Sequence, residues 1–164
     1  MAPRPGRDNW RGFTLIELLV AISVLAILLL IALPSYLDKL VREQVVEALA
    51  LADVAKPPVQ AAWRSGAELP ADNAVAGLPA ADQIVNQRVK SVVLEEGAIH
   101  IHFGNQAHGQ LQGKVLTVRP AGVRQARVVP LVWLCAAAPV PQQMTALGEN
   151  RTTVPPGMLP LRCR

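Results

Sequence analysis

The chain has 164 residues, of which 51% are hydrophobic, and a formal net charge of +4 at pH 7. This length leaves room for one modest domain plus an appendage and excludes an assembly of several domains. The charge is uneven, because residues 13–97 carry six Lys/Arg and ten Asp/Glu whereas residues 98–164 carry seven Lys/Arg and one acid. The sequence has no glycine-rich phosphate loop and no activated serine or cysteine beside a base, so we expect no enzyme.

An apolar segment near the N-terminus is the strongest feature of the sequence. The 21 residues from Phe13 to Leu33 contain only three polar ones, Thr14, Glu17 and Ser23. As a helix they would extend roughly 32 Å, enough to cross the hydrocarbon core of a bilayer. A secretory signal would be followed by a small-residue cleavage site, and none is visible. Three arginines and one aspartate precede the segment, so we expect a retained membrane helix with a cytoplasmic N-terminus.

The helical pattern continues beyond the apolar segment. Apolar residues recur at three- and four-residue steps, which is typical of a helix with one buried face. These residues are Leu37, Leu40, Val41, Val45, Ala48, Leu49 and Ala52. Pro34 predicts a kink, and the prolines at 57 and 58 predict an end or bend near residue 56, with one or two further turns over residues 59–63.

The second half of the chain predicts a long loop followed by an antiparallel sheet. Residues 66–88 are rich in Ala, Pro, Gly, Asn and Asp, with a helical turn expected near residues 80–85. Four strand-like runs follow, and their hairpin spacing predicts antiparallel pairing. They cover residues 89–94, 99–103, 114–118 and 128–135. The amphipathic part of the helix is available to cover the apolar face of this sheet, so the fold class is α+β.

Cys135 and Cys163 are the two cysteines of the chain. In an exported domain an even, widely spaced pair indicates a disulfide, which here would hold the proline-rich tail against the last strand. Such a closure stabilises a fold by about 3.5 kcal/mol in the chain-entropy model. The alternative is a pair of unbonded buried thiols.

Glu17 poses a problem for a membrane helix, because a carboxylate deep in lipid costs about 2.5–3.5 kcal/mol. No Lys, Arg or His lies between Phe13 and Pro34 to neutralise this charge. Cleavage after Gly12 would give Phe13 a free α-amino group four residues away. The amine and the Glu17 carboxylate could meet within one helix or between staggered neighbouring helices. In the second case a helix in the wrong register would leave a charge unpaired, which is unfavourable in an apolar bundle.

The stretch GFTLIELLVAI, which starts at Gly12, resembles the prepilin leader junction of the type IV pilins. The resemblance implies cleavage after Gly12 by a prepilin peptidase and N-methylation of Phe13. It also assigns Glu17 to subunit registration and Pro34 to a helix kink.

The rest of the chain extends this resemblance. YLDKLVREQVVEAL continues it along the helix, and QRVKSVVLEEG, the tripeptide Trp133–Cys135 and the near-terminal Cys163 are similar to the globular head of a major pilin. The prolines at 57 and 58 and the proline-rich loop before Cys163 depart from the usual pattern.

The resemblance implies an α+β pilin fold in which a long N-terminal helix packs on a four-stranded antiparallel sheet. The implied segments are a leader over 1–12, a transmembrane and filament-core helix over 13–34, its amphipathic continuation over 35–64, and a head over 65–164. That head contains an αβ-loop, the sheet and a C-terminal loop closed by the disulfide.

The resemblance also implies a structural role without an enzymatic activity or a cofactor. The prepilin would reside in the inner membrane of a Gram-negative bacterium and then, through the pilus assembly machinery, form a homo-oligomeric helical filament outside the cell. Such a fibre supports adhesion, twitching motility or DNA uptake. Two alternatives remain at this point, a minor DNA-binding competence pilin and a pseudopilin of type II secretion.

Two groups of side chains in the second half are candidate ligand sites. His100 and His102 share one strand face at a spacing that two metal ligands could use, but a third ligand is hard to find, so we predict solvent-facing residues and no metal site. A basic patch could bind DNA or a host-surface ligand, although charges of this kind usually form a solvated face. Its candidate members are Lys114, Arg119, Arg124 and Arg127.

Overall fold

The computed structural model describes residues 12–164, apart from the side chains of residues 33–35. The leader predicted over residues 1–12 therefore lies, except for Gly12, outside the described residues. The chain forms two compact units, of which the first ends at Leu37 and the second comprises Asp38–Arg164. Every described side chain of the first unit is exposed, whereas the second unit contains the hydrophobic core.

Helix α1, Leu15–Ala52, begins in the first unit and ends in the second. Within the described part of the chain, it is the one helix long and apolar enough to cross a membrane, judged by length and composition. Its backbone stays helical at Pro34. The side chain of Pro34 lies outside the described residues, so the expected kink remains a prediction.

The end of α1 differs from the sequence prediction. The helix stops at Ala52 rather than near residue 56, and residues 53–55 form a tighter turn with i→i−3 hydrogen bonds of 3.1–3.3 Å. The prolines at 57 and 58 explain this end, because in a continuous helix their rings would clash with the carbonyl groups four residues back. A second helix, α2, Lys56–Ser65, then places both prolines in its first turn, where no intrahelical N–H bond is lost.

An antiparallel sheet of five strands follows the helices. Its strands are β1, Val89–Glu95; β2, Ala98–Phe103; β3, Val115–Gly122; β4, Val132–Cys135; and β5, Thr145–Ala146. The spatial order is β1-β2-β3-β4, and β5 pairs with the end of β3. These elements confirm the α+β class and add a short fifth strand to the four that were predicted. The fourth strand begins at Val132 rather than at residue 128, because a turn and Pro130, which has no N–H, precede it.

A stripe along α1 and α2 packs against the inner face of the sheet. The stripe consists of Val41, Val45, Ala48, Ala52, Ala55, Val59 and Trp63, and the sheet contributes Val92, Leu94, Ile99, Ile101, Phe103, Leu116 and Val118. Each fully buried Val, Leu, Ile or Phe stabilises the fold by about 1.5–3 kcal/mol relative to an exposed position. Because the stripe continues through the turn at residues 53–55, both helices act as one cover for the sheet.

The long loop before the sheet is fastened to β1 by Asn73. The Nδ2 group of this buried side chain donates to the carbonyls of Pro79 and Val92, at 3.1 Å each, and its Oδ1 accepts the Leu94 N–H at 2.7 Å. All of its polar atoms are thus used, which makes its burial favourable. The predicted helical turn is present as a short 3₁₀ segment, Ala81–Gln83.

The outer face of the sheet is crossed by residues 147–153, hereafter the C-terminal strap. At one end the Leu147 N–H donates to the Pro120 carbonyl at 2.8 Å, and at the other the Thr153 N–H donates to the Val115 carbonyl at 2.9 Å. The strap therefore covers β3 diagonally, from the side of β2 to the opposite side.

Gly148 allows the strap to approach the sheet closely. A Cβ atom at this position would lie 2.6 Å from the Cβ of Ala98 and 3.2 Å from its backbone nitrogen, and the φ of Gly148 is 75°. Only glycine combines this conformation with such a contact at little cost.

Cys135 and Cys163 form a disulfide, as the sequence predicted, and both are buried. The bond closes a loop with a sequence separation of 28 residues that contains β5 and the strap. Val154 and Leu159, which follow the strap, are buried in the core. The tail is thus held both covalently and by packing.

We expect Cys163→Ser to lower the melting temperature of the full chain in detergent. The lost cross-link corresponds to about 3.5 kcal/mol in the chain-entropy model, or roughly 7–14 °C for a chain of this size. Circular dichroism measures the shift. As a control, a reductant should bring the wild type down to the variant's value and leave the variant unchanged. Equal melting temperatures for the oxidised wild type and the variant would contradict this role of the disulfide.

Candidate functional site

The start of α1 brings together the residues of the predicted processing and registration site. Gly12, Phe13 and Thr14 precede the helix in non-helical backbone, and all three are exposed. The side chain of Phe13 is 81% exposed. Glu17 lies in the first turn of the helix and is also exposed. The peptide bond after Gly12 is therefore accessible, and the carboxylate stands one turn away from it.

Thr14 caps the first turn of α1. Its Oγ1 accepts a hydrogen bond from the Glu17 backbone N–H at 3.3 Å, which satisfies one of the N–H groups that the first turn leaves unpaired. A carboxylate in this turn is also favoured by the positive end of the helix dipole. This local support for Glu17 was not predicted, although the pattern Thr-x-x-Glu is the recognised signature of a helix start.

The rest of the first unit is a nearly uniform apolar surface. Its large apolar side chains are 49–81% exposed from Phe13 to Ile31. The hydroxyl of Ser23 donates to the Val20 carbonyl at 2.8 Å, so its polarity is satisfied within the helix. Glu17 is the one charged side chain between Gly12 and Ile31. A surface of this extent requires lipid or other protein surfaces around it.

The four basic residues predicted as an anion-binding patch do not converge. Lys114 and Arg124 flank opposite ends of β3, whose eight residues span roughly 27 Å. Arg119 lies mid-strand on the outer face with its Nε buried. Only Arg124 and Arg127 come together, beside a shallow depression of about 210 Å³ lined also by Trp63.

Arg127 has a structural role within this pair. Its guanidinium lies 5.2 Å from the ring centroid of Trp63, and Nη1 donates to the Ala67 carbonyl at 3.3 Å. Trp63 is a buried member of the stripe on α2. Arg127 thus covers the edge of the core, and Arg124 is the one of the two without this packing role.

The second tryptophan of the head, Trp133, lies at the edge of the core rather than in its centre. It is partly buried, and Lys56 Nζ lies 5.6 Å from its ring centroid. An open groove of about 340 Å³ runs past it, lined by residues of α1, the first turn of α2, two strands and Arg162 of the tail.

The structure corrects the prediction that His100 faces solvent. Its side chain is only 2% exposed, because the C-terminal strap covers the face that the alternation of β2 left open. Nδ1 lies 3.0 Å from Thr117 Oγ1. Burial and, second, the neighbouring Arg151 guanidinium lower the pKa of His100, and burial lowers the pKa of the half-exposed His102. No group of three or more metal-ligating side chains occurs within residues 12–164.

Two family models match the chain. Residues 41–164 match the pilin family of bacterial filament proteins. The chain belongs to the pilin family. Residues 11–33 match the prokaryotic N-terminal methylation motif, which covers the start of α1 and the residues around Gly12 and Phe13.

Several curated pilins are similar to this chain. The type IV major pilin protein PilE1 of Neisseria gonorrhoeae is 33% identical over 161 residues, which cover 94% of this chain and 87% of that protein. PilE of the same species is 36% identical and a fimbrial protein of Neisseria meningitidis serogroup B is 35% identical, each over 66% of this chain. Those matches cover 65% and 64% of the two relatives, so the aligned part of this pilin spans slightly less than two thirds of their length.

We expect Arg127→Ala to destabilise the head and Arg124→Ala to leave its stability nearly unchanged. Loss of the Arg127 side chain removes a cation–π contact of about 0.5–1 kcal/mol together with the packing of its stem on Trp63. Thermal unfolding followed by tryptophan fluorescence of the full chain in detergent measures both variants. Equal melting temperatures for the two variants would show that Arg127 does not stabilise the head in this way.

Proposed function

We propose that this pilin is the structural subunit of a type IV pilus. The exposed apolar first part of α1, attached to a folded pilin head, is the observation that carries this function. In the prepilin this surface would lie in the inner membrane. After assembly the same surface would pack against copies of itself in the filament core, with the heads facing outward.

One apolar surface can serve both environments, because each removes it from water. Burial of apolar area is favourable at about 25 cal/mol per Å² whether lipid or protein supplies the cover. Helices in lipid have no hydrophobic drive to associate. A pilin that leaves the bilayer therefore needs the filament core to keep its apolar surface away from water. Specific polar contacts between subunits have to set the register of neighbouring helices.

Processing would create the polar group that this register needs. Cleavage after Gly12 by a prepilin peptidase leaves Phe13 as the new N-terminus, and its amine, N-methylated, stays cationic. The exposed non-helical backbone at this junction supports access by a peptidase. Glu17 is the one acidic residue between Phe13 and Leu37, so it is the partner we assign to the amine of a neighbouring subunit.

The pilus would support adhesion, twitching motility or DNA uptake through its outward-facing heads. A dedicated DNA-binding subunit would require one joint basic surface. Such a role has no support here, because Lys114 and Arg119 lie apart from the pair formed by Arg124 and Arg127. The relatives named as major pilins likewise favour a bulk subunit over a pseudopilin.

Mass spectrometry of sheared surface fibres tests the processing. We expect this chain to be present and to begin at N-methylated Phe13. Recovery of the chain only from the membrane fraction, with residues 1–12 still attached, would overturn both the processing and the assembly.

Substitutions at Glu17 separate charge pairing from helix capping. Glutamine has the same length and also serves at the third position of a capping box, so Glu17→Gln removes the charge and keeps the cap. Breaking a buried ion pair costs about 3–5 kcal/mol, and we therefore expect the yield of sheared fibres to fall by about tenfold or more. Membrane insertion should be normal, since the substitution makes the helix less polar.

The matched control is Ser23→Ala, which removes the other polar side chain between Leu15 and Leu33 without changing the charge. Its fibre yield should equal that of the wild type. The observed cap uses the backbone N–H of residue 17, which Glu17→Gln keeps, so normal assembly of this variant would show that the charge of Glu17 does not set the register.

A further inference from the structure

The covered outer face of the sheet contains a buried histidine that pilus assembly does not use. His100 lies on β2 beneath the C-terminal strap, and its contacts link the strap to the sheet. Thr117 Oγ1 lies 3.0 Å from His100 Nδ1 and also accepts the Arg151 backbone N–H at 3.1 Å. The hydroxyl of Thr117 is thus shared between the imidazole and the backbone of the strap.

Hydrogen bonds along the edge of β3 continue this attachment. The Thr117 N–H donates to Thr152 Oγ1 at 3.1 Å, and the Val115 N–H donates to Thr153 Oγ1 at 2.8 Å. Asn150 Nδ2 donates to the Ala136 carbonyl at 3.0 Å. Beyond Leu147, which packs against the core, the strap is therefore held over the imidazole mainly by single polar contacts.

The side chain of Arg151 fastens the strap on the far side of His100. Its Nη2 donates to Glu95 Oε1 of β1 at 2.8 Å, and its Nε donates to Glu149 Oε2 at 2.8 Å. These contacts raise the pKa of Arg151, which remains a cation at every relevant pH. His100 thus lies below a permanent positive charge.

The surroundings of His100 favour its neutral form. Its Nε2 is buried and has no hydrogen-bond partner among the described residues. An imidazolium would place a second cation near Arg151 and leave a charged N–H without an acceptor, which is costly away from water. Burial and then Arg151 lower the pKa of His100, and the carboxylates of Glu95 and Glu149 oppose this only in part.

Charged or titratable side chains on every neighbouring element affect the balance between neutral and protonated His100. They are Lys90 and Glu95 on β1, His102 on β2, Arg119 on β3, and Glu149 and Arg151 on the strap. Near neutral pH the two carboxylates of this set are paired with Arg151 and so are not free to hold an imidazolium.

We propose that the C-terminal strap is a pH-sensitive latch, closed over neutral His100 and released when His100 takes up a proton. In the released state the imidazole is hydrated and its pKa returns to about 6.5. The folded, closed state has the lower pKa, so closure is fully favoured above about pH 6.5 and is weakened as the pH falls below it. One proton shifts the ratio of open to closed strap by at most about tenfold per pH unit.

Because of the disulfide, the strap can open while the C-terminal tail stays attached to the sheet. Cys163 remains bonded to Cys135 beyond the strap, and β5 remains paired with β3 before it. Release would expose Ala98, Thr117 and the edge of β3 while β5 and Cys163, which flank the strap, stay attached.

Hydrogen–deuterium exchange of the full chain in detergent tests the latch between pH 7.5 and 4.0, after correction for the intrinsic pH dependence of exchange. The relevant amides are those of residues 115, 117, 151 and 153. We expect their protection to fall as the pH drops below about 6.5, whereas amides of the β1–β2 hairpin stay protected. Constant protection over this range, or a transition centred below pH 4.5, would overturn the proposal.

Two substitutions identify the group that titrates. His100→Gln keeps a neutral side chain that can bond to Thr117, so we expect the transition to disappear. In the matched control, His102→Gln, the transition should remain, and its persistence unchanged in His100→Gln would refute the latch.

A further variant covers the case in which His100→Gln does not fold. Glu95→Gln removes one partner of Arg151 and leaves the imidazole in place, so the strap should open more at every pH and a transition should remain. Loss of the transition in Glu95→Gln would assign it to the carboxylate and overturn the role of His100.

Discussion

The packing of one helical stripe against the inner face of the sheet is the interaction on which the second unit depends. The stripe runs from Val41 to Trp63 across a break in the helix, and each of its members contacts the same core. The turn at residues 53–55 tightens the backbone without ending the stripe, because Ala52 and Ala55 lie on the buried side before and after it. The prolines at 57 and 58 thus change the helix but leave its cover of the sheet intact.

Helix α1 presents two different surfaces because its sequence changes character along its length. Up to Leu37 the helix is apolar on all sides apart from a few polar residues such as Glu17, and its described side chains are all exposed, whereas from Val41 onward only one face is apolar and that face is buried. The apolar face of the second part can be buried within a single subunit. The apolar surface of the first part cannot be buried in this way, since no other described element belongs to its unit. This part therefore requires lipid or other protein surfaces around it.

Local pattern was sufficient to predict the long helix, apart from its exact end, and most of the sheet. The periodicity that places Val41, Val45 and Ala48 on one face depends on neighbours three or four residues away. The hairpin turn at residues 96–97, where both residues have a positive φ, is likewise local. The Thr-x-x-Glu cap at Thr14 was equally local and could have been found. By contrast, β5 and the strap depend on contacts with β3 more than 20 residues earlier, and no short-range pattern encodes them.

The error at His100 has the same origin. Alternation along β2 correctly separates Ile99 and Ile101 from His100 and His102, but it does not tell whether the second face is open. The proline-rich tail looks irregular, and an irregular segment was not expected to cover a sheet. Its cover consists mainly of hydrogen bonds and the ion pairs of Arg151. The two faces of the sheet therefore differ: the inner one is covered by apolar packing of the helices, whereas the outer one is covered mainly by polar contacts.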